Sequence, residues 1–243
     1  MSLTSENLRD VRIRVTTLGD LLLLANDAHR HDTALILPDE RLSYGELTAR
    51  ALQRARALQA LGVRSGEHVG LLMPTCIEFV ECLFAIALCG AVAVPLNARY
   101  KPSELAYVIE NGDLVTLLTT DLVAEHVDFV ERLQAALPGL AAAADPRRLA
   151  LSSAPRLRNI VLLGRSRAAG FLADDDFIAL AAGVDEDRVH AARLRVRLRD
   201  PAIMLYTSGT TANPKGCLLS HEAMVRNAIA LGRYRYALTA QDV

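Results

Sequence analysis

Residues Tyr206 to Gly216 read "YTSGTTANPKG" and hold the densest chemistry in the chain. Thr207, Ser208, Thr210 and Thr211 are hydroxyl donors, Gly209 and Gly216 remove side-chain bulk, and Lys215 brings a compact positive charge. That combination suits a phosphate group. Loop amides can converge on an anion, glycine lets the backbone approach it, and an ammonium neutralises it. Any of these hydroxyl oxygens can also ligate magnesium. Pro214 stiffens the approach to the lysine. Lys101 and Lys215 are the only lysines among 27 basic residues, so a lysine inside this loop carries more information than usual. The order differs from the G-x-x-x-x-G-K-[ST] phosphate loop, because Lys215 precedes Gly216 and Cys217 follows it. The G-x-G-x-x-G forms are absent as well.

Other chemistry-bearing residues read more plainly. Cys76, Cys82, Cys89 and Cys217 lack C-x-x-C spacing, which disfavours zinc and suggests buried free thiols in a reducing cytosol. Asp174, Asp175 and Asp176 open a helix, where the helix dipole favours acids, and need no metal. His221 follows Ser220 at a helix start and reads as a solvated or capping-turn residue. "RLRVRLRD", Arg193 to Asp200, alternates basic with apolar and is expected to be a strand or extended segment with one wet face.

The elements that must position the loop alternate between two periods. Ser43 and Glu46 have capping-box spacing at the head of a helix that Gly62 closes. Strands are expected at Glu67 to Met73, in "AVAVPLN", at Leu114 to Thr120, at Asn159 to Gly164, at Ala202 to Tyr206 and in "CLLS". Helices are expected between them: "CIEFVECLFAIALCG", "ELAYVIEN" capped by Ser103 and stopped by Gly112, "AEHVDFVERLQAAL", "ADDDFIALAAG", and a last one from His221 to Tyr234. Leu137 to Arg148 reads as a loop or insertion. The fold class is α/β, with largely parallel sheet flanked by helices. In such sheets ligands sit beyond the carboxyl ends of the strands, where Tyr206 to Gly216 falls.

The chain has 243 residues, 51% hydrophobic and 23% charged, which fits a soluble globular protein. The net charge of -1 offers nothing to nucleic acid or an anionic membrane. The longest apolar run, Leu83 to Pro95, falls short of the roughly 20 residues that span a bilayer, and the polar start lacks a secretory signal. A cytoplasmic location is expected, with a homo-oligomer allowed.

Taken together, these stretches resemble the adenylate-forming enzymes, which include acyl-CoA synthetases, luciferases and the adenylation domains of peptide synthetases. Tyr206 to Gly216 is similar to that family's Y-T-S-G-T-T-G-x-P-K-G signature and departs from it at Ala212, where glycine is usual. "LSYGEL" and "GAVAVPLN" stand where the family has them, and "PLNARYKPSELAYVIENG" resembles fatty-acid and carnitine-CoA ligases. The resemblance implies two steps. A carboxylate displaces pyrophosphate from ATP to give an acyl-adenylate, and the thiol of coenzyme A then takes the acyl group. It further implies that Thr207, Ser208, Gly209, Thr210, Thr211, Lys215 and Gly216 hold the nucleotide's phosphates with magnesium near Thr207.

The family's later motifs are not found. The aromatic-Gly-x-Thr-Glu block, the ribose-binding aspartate and the adenylation lysine have no counterpart, and Lys101 stands in the wrong context to replace the last. The expectation is therefore a truncated N-terminal domain over residues 1–243, with no catalytic residue of its own and little activity alone. Two alternatives stay open: an amino-acid or aryl-acid adenylating domain that loads a carrier protein, and a non-catalytic binding or assembly protein.

Overall fold

The computed structural model describes residues 15–122, 127–207 and 213–239. Helix α1 (Leu18–His29) leads into an antiparallel hairpin of β1 (Thr33–Leu37) and β2 (Glu40–Ser43). Helices and strands then alternate: α2 (Tyr44–Ala60), β3 (His68–Leu72), α3 (Ile77–Leu88), β4 (Val92–Pro95), α4 (Pro102–Asn111), β5 (Leu114–Thr120), α5 (Phe129–Ala136) and β6 (Asn159–Leu163). A short β7 (Leu172–Ala173), α6 (Asp174–Ala179) and α7 (Glu186–Arg193) precede β8 (Pro201–Thr207) and β9 (Lys215–Ser220), and α8 (His221–Ala230) follows.

Seven strands make one sheet in the order β7-β6-β5-β3-β4-β8-β9. Every neighbouring pair is parallel except β8 with β9. The chain steps one way from β3 to β4, then the other way to β5, β6 and β7, and returns to β8. Right-handed crossovers in opposite directions must place their helices on opposite faces. Leu22 of α1, Leu47 and Leu58 of α2, Ile86 of α3, Phe177 of α6 and Val189 of α7 accordingly pack with Val69, Leu71, Val161 and Ile203 on one face. Leu105 and Ile109 of α4 and Phe129 and Leu133 of α5 pack with Val92, Val94, Ile160, Leu162 and Met204 on the other. Successive strand residues thus feed alternate cores, as a pleated strand requires.

Local signals behave as their chemistry dictates. The Ser43 hydroxyl accepts from Glu46 N–H at 3.2 Å, and Glu46 accepts from Ser43 N–H at 2.8 Å, closing the capping box. Gly62 ends α2 at φ +83°, a conformation that favours glycine.

Several expectations need correction. The cap of α4 is Lys101 rather than Ser103: Pro102 opens the helix, and Glu104 accepts from Lys101 N–H at 2.8 Å. Gly112 does close α4, but the left-handed residue is Asp113, at φ 50°. The helix expected over "AEHVDFVERLQAAL" begins at Phe129 with Asp128 as its cap, and residues 124–126 of that stretch lie outside the described residues. Arg193 to Asp200 is no strand. α7 continues through Arg193, and the following backbone closes on itself through Val196 N–H to Arg193 O at 3.0 Å and Arg197 N–H to the Asp200 carboxylate at 2.8 Å. Alternation alone makes a strand only where a neighbouring strand offers partners. No helix among the described residues is long and apolar enough to cross a membrane.

Candidate functional site

Strand β8 delivers the loop. Ile203 goes to one core and Met204 to the other, while β4 flanks β8 on one side through Ala93 opposite Ile203. Beyond Met204 the strand emerges from the interior: Leu205 is 39% exposed and Thr207 is exposed. Tyr206 fastens this end. Its ring lies against the second core, and its hydroxyl donates to Asn111 Oδ1, at the end of α4, over 2.8 Å. Burial, reinforced by Tyr107, Tyr100 and Asp113, pushes the Tyr206 phenol up to about 12. It is therefore a neutral donor at physiological pH, suited to anchoring rather than proton transfer.

Strand β9 returns antiparallel, with Gly216 opposite Tyr206 and Lys215 opposite Thr207. Paired residues in such a ladder have Cα atoms about 5 Å apart, so the candidate metal contact and the candidate phosphate lysine stand side by side at the mouth of one loop. Thr207 Oγ1 reaches the Lys215 carbonyl at 3.5 Å, the outer limit of a hydrogen bond. That exposed oxygen is a hard donor of the kind magnesium takes, and one such ligand with phosphates and water is an ordinary magnesium shell. Thr207 therefore fits the role of one ligand. Lys215 is exposed, and none of the ion pairs among the described residues involves it.

Gly216 removes side-chain bulk on the side of its own strand neighbours. It sits in regular strand without a positive φ, but a Cβ there would fall 2.8 Å from Met204 Sδ and 3.3 Å from the Tyr206 ring. Any larger residue would have to push aside the Met204 and Tyr206 side chains that anchor β8 to the core. Ser208, Gly209, Thr210 and Thr211, with Ala212, lie outside the described residues.

The competing clusters resolve differently. Asp175 and Asp176 bind Arg167, at 2.5 and 2.8 Å, and Asp174 binds Arg54 at 3.2 Å. Among the described residues no group of three His, Cys, Asp or Glu could hold a metal ion. Cys76, Cys82 and Cys89 are buried, and desolvation lifts Cys76 to about 11 and the other two to about 12, so they stay as unreactive thiols. Cys217 is exposed on β9, contrary to the expectation of burial. His221 does stand in the first turn after the Ser220 cap, but it is fully buried rather than solvated. Its position after a helix cap gave no sign of that, because the element covering it, α1, is distant in sequence.

The sequence of residues 24–243 matches the family model described as AMP-binding enzyme. The chain is 29% identical over 229 residues to acyl-CoA ligase sidI of Aspergillus fumigatus, covering 93% of this chain and 37% of that protein. It is 30% identical over 225 residues to a crotonobetaine/carnitine–CoA ligase of Escherichia coli, covering 89% of this chain and 38% of the relative. Among solved structures, the anthranilate CoA ligase AuaEII in complex with anthranoyl-AMP superposes with a TM-score of 0.70 at 26% identity, covering 93% of this chain and 38% of that one. The chain thus spans about two-fifths of the length of the relatives it matches. A sheet whose strands end at a hydroxyl- and lysine-bearing loop, and a family match that runs through that loop, lead to one conclusion: the chain belongs to the AMP-binding enzyme family.

Proposed function

We propose that this chain carries the phosphate-gripping part of an acyl-CoA ligase, which uses ATP to convert a carboxylic acid into an acyl-adenylate and then into a coenzyme A thioester. The observation that carries the proposal is the register of β8 with β9, which puts exposed Thr207 beside an exposed Lys215 that has no acidic partner among the described residues. In this reading the acid's oxygen attacks the α-phosphorus, the bond to the β-phosphate bridge breaks, and pyrophosphate leaves. The thiol of coenzyme A then attacks the activated carbonyl and AMP departs. Lys215 and the loop donors Ser208, Gly209, Thr210 and Thr211 hold the departing phosphates, and Thr207 offers an oxygen to magnesium. A bound magnesium ion would spread the negative charge of the triphosphate. Tyr206, tied to Asn111, fixes the end of β8, so that Thr207 is placed before the nucleotide arrives.

The acid is a fatty or other acyl acid. The structural likeness to a ligase seen with anthranoyl-AMP supports an aromatic acid as the second reading. Because the chain spans about two-fifths of its relatives, it should bind nucleotide yet turn over far more slowly than an intact ligase. Pyrophosphate exchange with aliphatic and aromatic acids tests this on the 243-residue chain and on a longer form matching the relatives' length. Acid-dependent exchange by the longer form is expected. None with any acid, despite nucleotide binding, would refute the ligase reading.

A further inference from the structure

The buried His221 ring does a job that the phosphate reading leaves unused. It is the first residue of α8 and directly follows β9, the strand that begins at Lys215. Its Nδ1 accepts a hydrogen bond from Leu18 N–H at 3.2 Å. Leu18 opens α1, and its amide is one of the helix-terminal donors that lack a partner within the helix. Nδ1 can accept only while it carries no proton, so the proton of the neutral ring sits on Nε2, which is buried and has no partner among the described residues. The junction is otherwise tied by His221 N–H to Asp200 O at 3.2 Å and Glu222 N–H to Leu198 O at 2.8 Å.

The charged neighbours are already engaged. Asp20 of α1 pairs with Arg193 of α7, which also contacts His190. The Asp200 carboxylate takes Arg197 N–H. Glu222 on α8 pairs with Arg226 at 2.9 Å and more loosely with Arg199 at 3.9 Å. The positive end of the α1 dipole also faces the ring and opposes a second proton.

We propose that His221 is a proton-sensitive clasp: in its neutral form it binds the start of α1 to the β9–α8 junction, and on protonation it lets go. A proton on Nδ1 would set donor against donor at Leu18 and loosen the rear anchor of the strand that presents Lys215. Burial holds the imidazole below its usual 6.5, against the smaller opposing pull of Asp200 and Asp20. The sign follows: the clasp's stabilisation is complete above 6.5, and it declines as pH falls below that value and on through the lower folded pKa. The clasp concerns the fold alone and stands whether or not the loop binds nucleotide.

Backbone amide exchange of the 243-residue chain, corrected for the intrinsic pH dependence of exchange and compared between about pH 7.5 and about pH 5, tests it. The chain itself should lose protection roughly tenfold at Leu18 and along β9 on acidification, the scale of one hydrogen bond. His221→Asn keeps an acceptor but cannot titrate, so its protection there should hardly change with pH. His221→Phe should be weakly protected at both pH values; should it fail to fold, the comparison with His221→Asn decides alone. An identical pH response in the unaltered chain and His221→Asn, or no response in the unaltered chain, would overturn the clasp.

Discussion

The two halves of the sheet are built for different tasks. Strand β5, near the middle, and its neighbour β6 are buried at every residue, and β3 is nearly so. Strand β9, at the edge, is exposed from Lys215 through Leu218 and shields only its last two residues in part. Apolar side chains on both faces of β3, β5 and β6 stabilise the fold. At β8 and β9 the same sheet gives up burial to set Thr207 and Lys215 in the open. Rigidity in one half lets the other half present polar groups that cost little to expose but would cost a great deal to bury unpaired.

Mutation should separate the halves by size of effect. Phe177→Ala, at a fully buried ring packed against β6 and β7, should cost about 3–5 kcal/mol of stability in a denaturant titration. A cost below about 1 kcal/mol would erase the contrast. The ion network beneath the same face sharpens it. Arg54 donates to Glu81 at 2.7 Å and to Asp174 at 3.2 Å, with Glu81 only 1% exposed. Glu81→Ala should cost about 3 kcal/mol by leaving the buried guanidinium with the longer Asp174 contact in place of the short Glu81 one, while Arg54→Met with Glu81→Leu should recover most of that loss. Ser43→Ala, which removes the cap of α2, should cost about 1 kcal/mol in the same titration. At the edge, Leu218→Ser should change stability by less than about 0.5 kcal/mol, since Leu218 is 53% exposed.

The buried half was also the half most legible in the sequence. Continuous apolar runs bounded by Gly62, Gly90 and Gly112 located β3, β4 and β5, and the Ser43–Glu46 spacing located the start of α2. These signals are local, and burial on both faces leaves such a strand no polar residues to confuse the pattern. What escaped was set by distant partners. The hairpin of β1 and β2 has a weak alternation and no glycine at its turn. Arg193 to Asp200 had a strand's alternation but no edge to join. His221 owes its burial to α1, some 200 residues away. At the candidate site the residue types were readable from Tyr206 to Gly216. The pairing of Thr207 with Lys215, the Tyr206–Asn111 bond and the steric reason for Gly216 were not, because each depends on which strand lies alongside.

The central claim is that the open end of β8 and β9 grips a triphosphate through Lys215. The most direct measurement is calorimetric titration of the 243-residue chain and of Lys215→Ala with ATP and magnesium, alongside thermal denaturation of both. Affinity should fall about tenfold or more in Lys215→Ala, equivalent to roughly 1.4 kcal/mol, with the denaturation midpoint almost unmoved. Equal affinity in the two proteins would contradict the account.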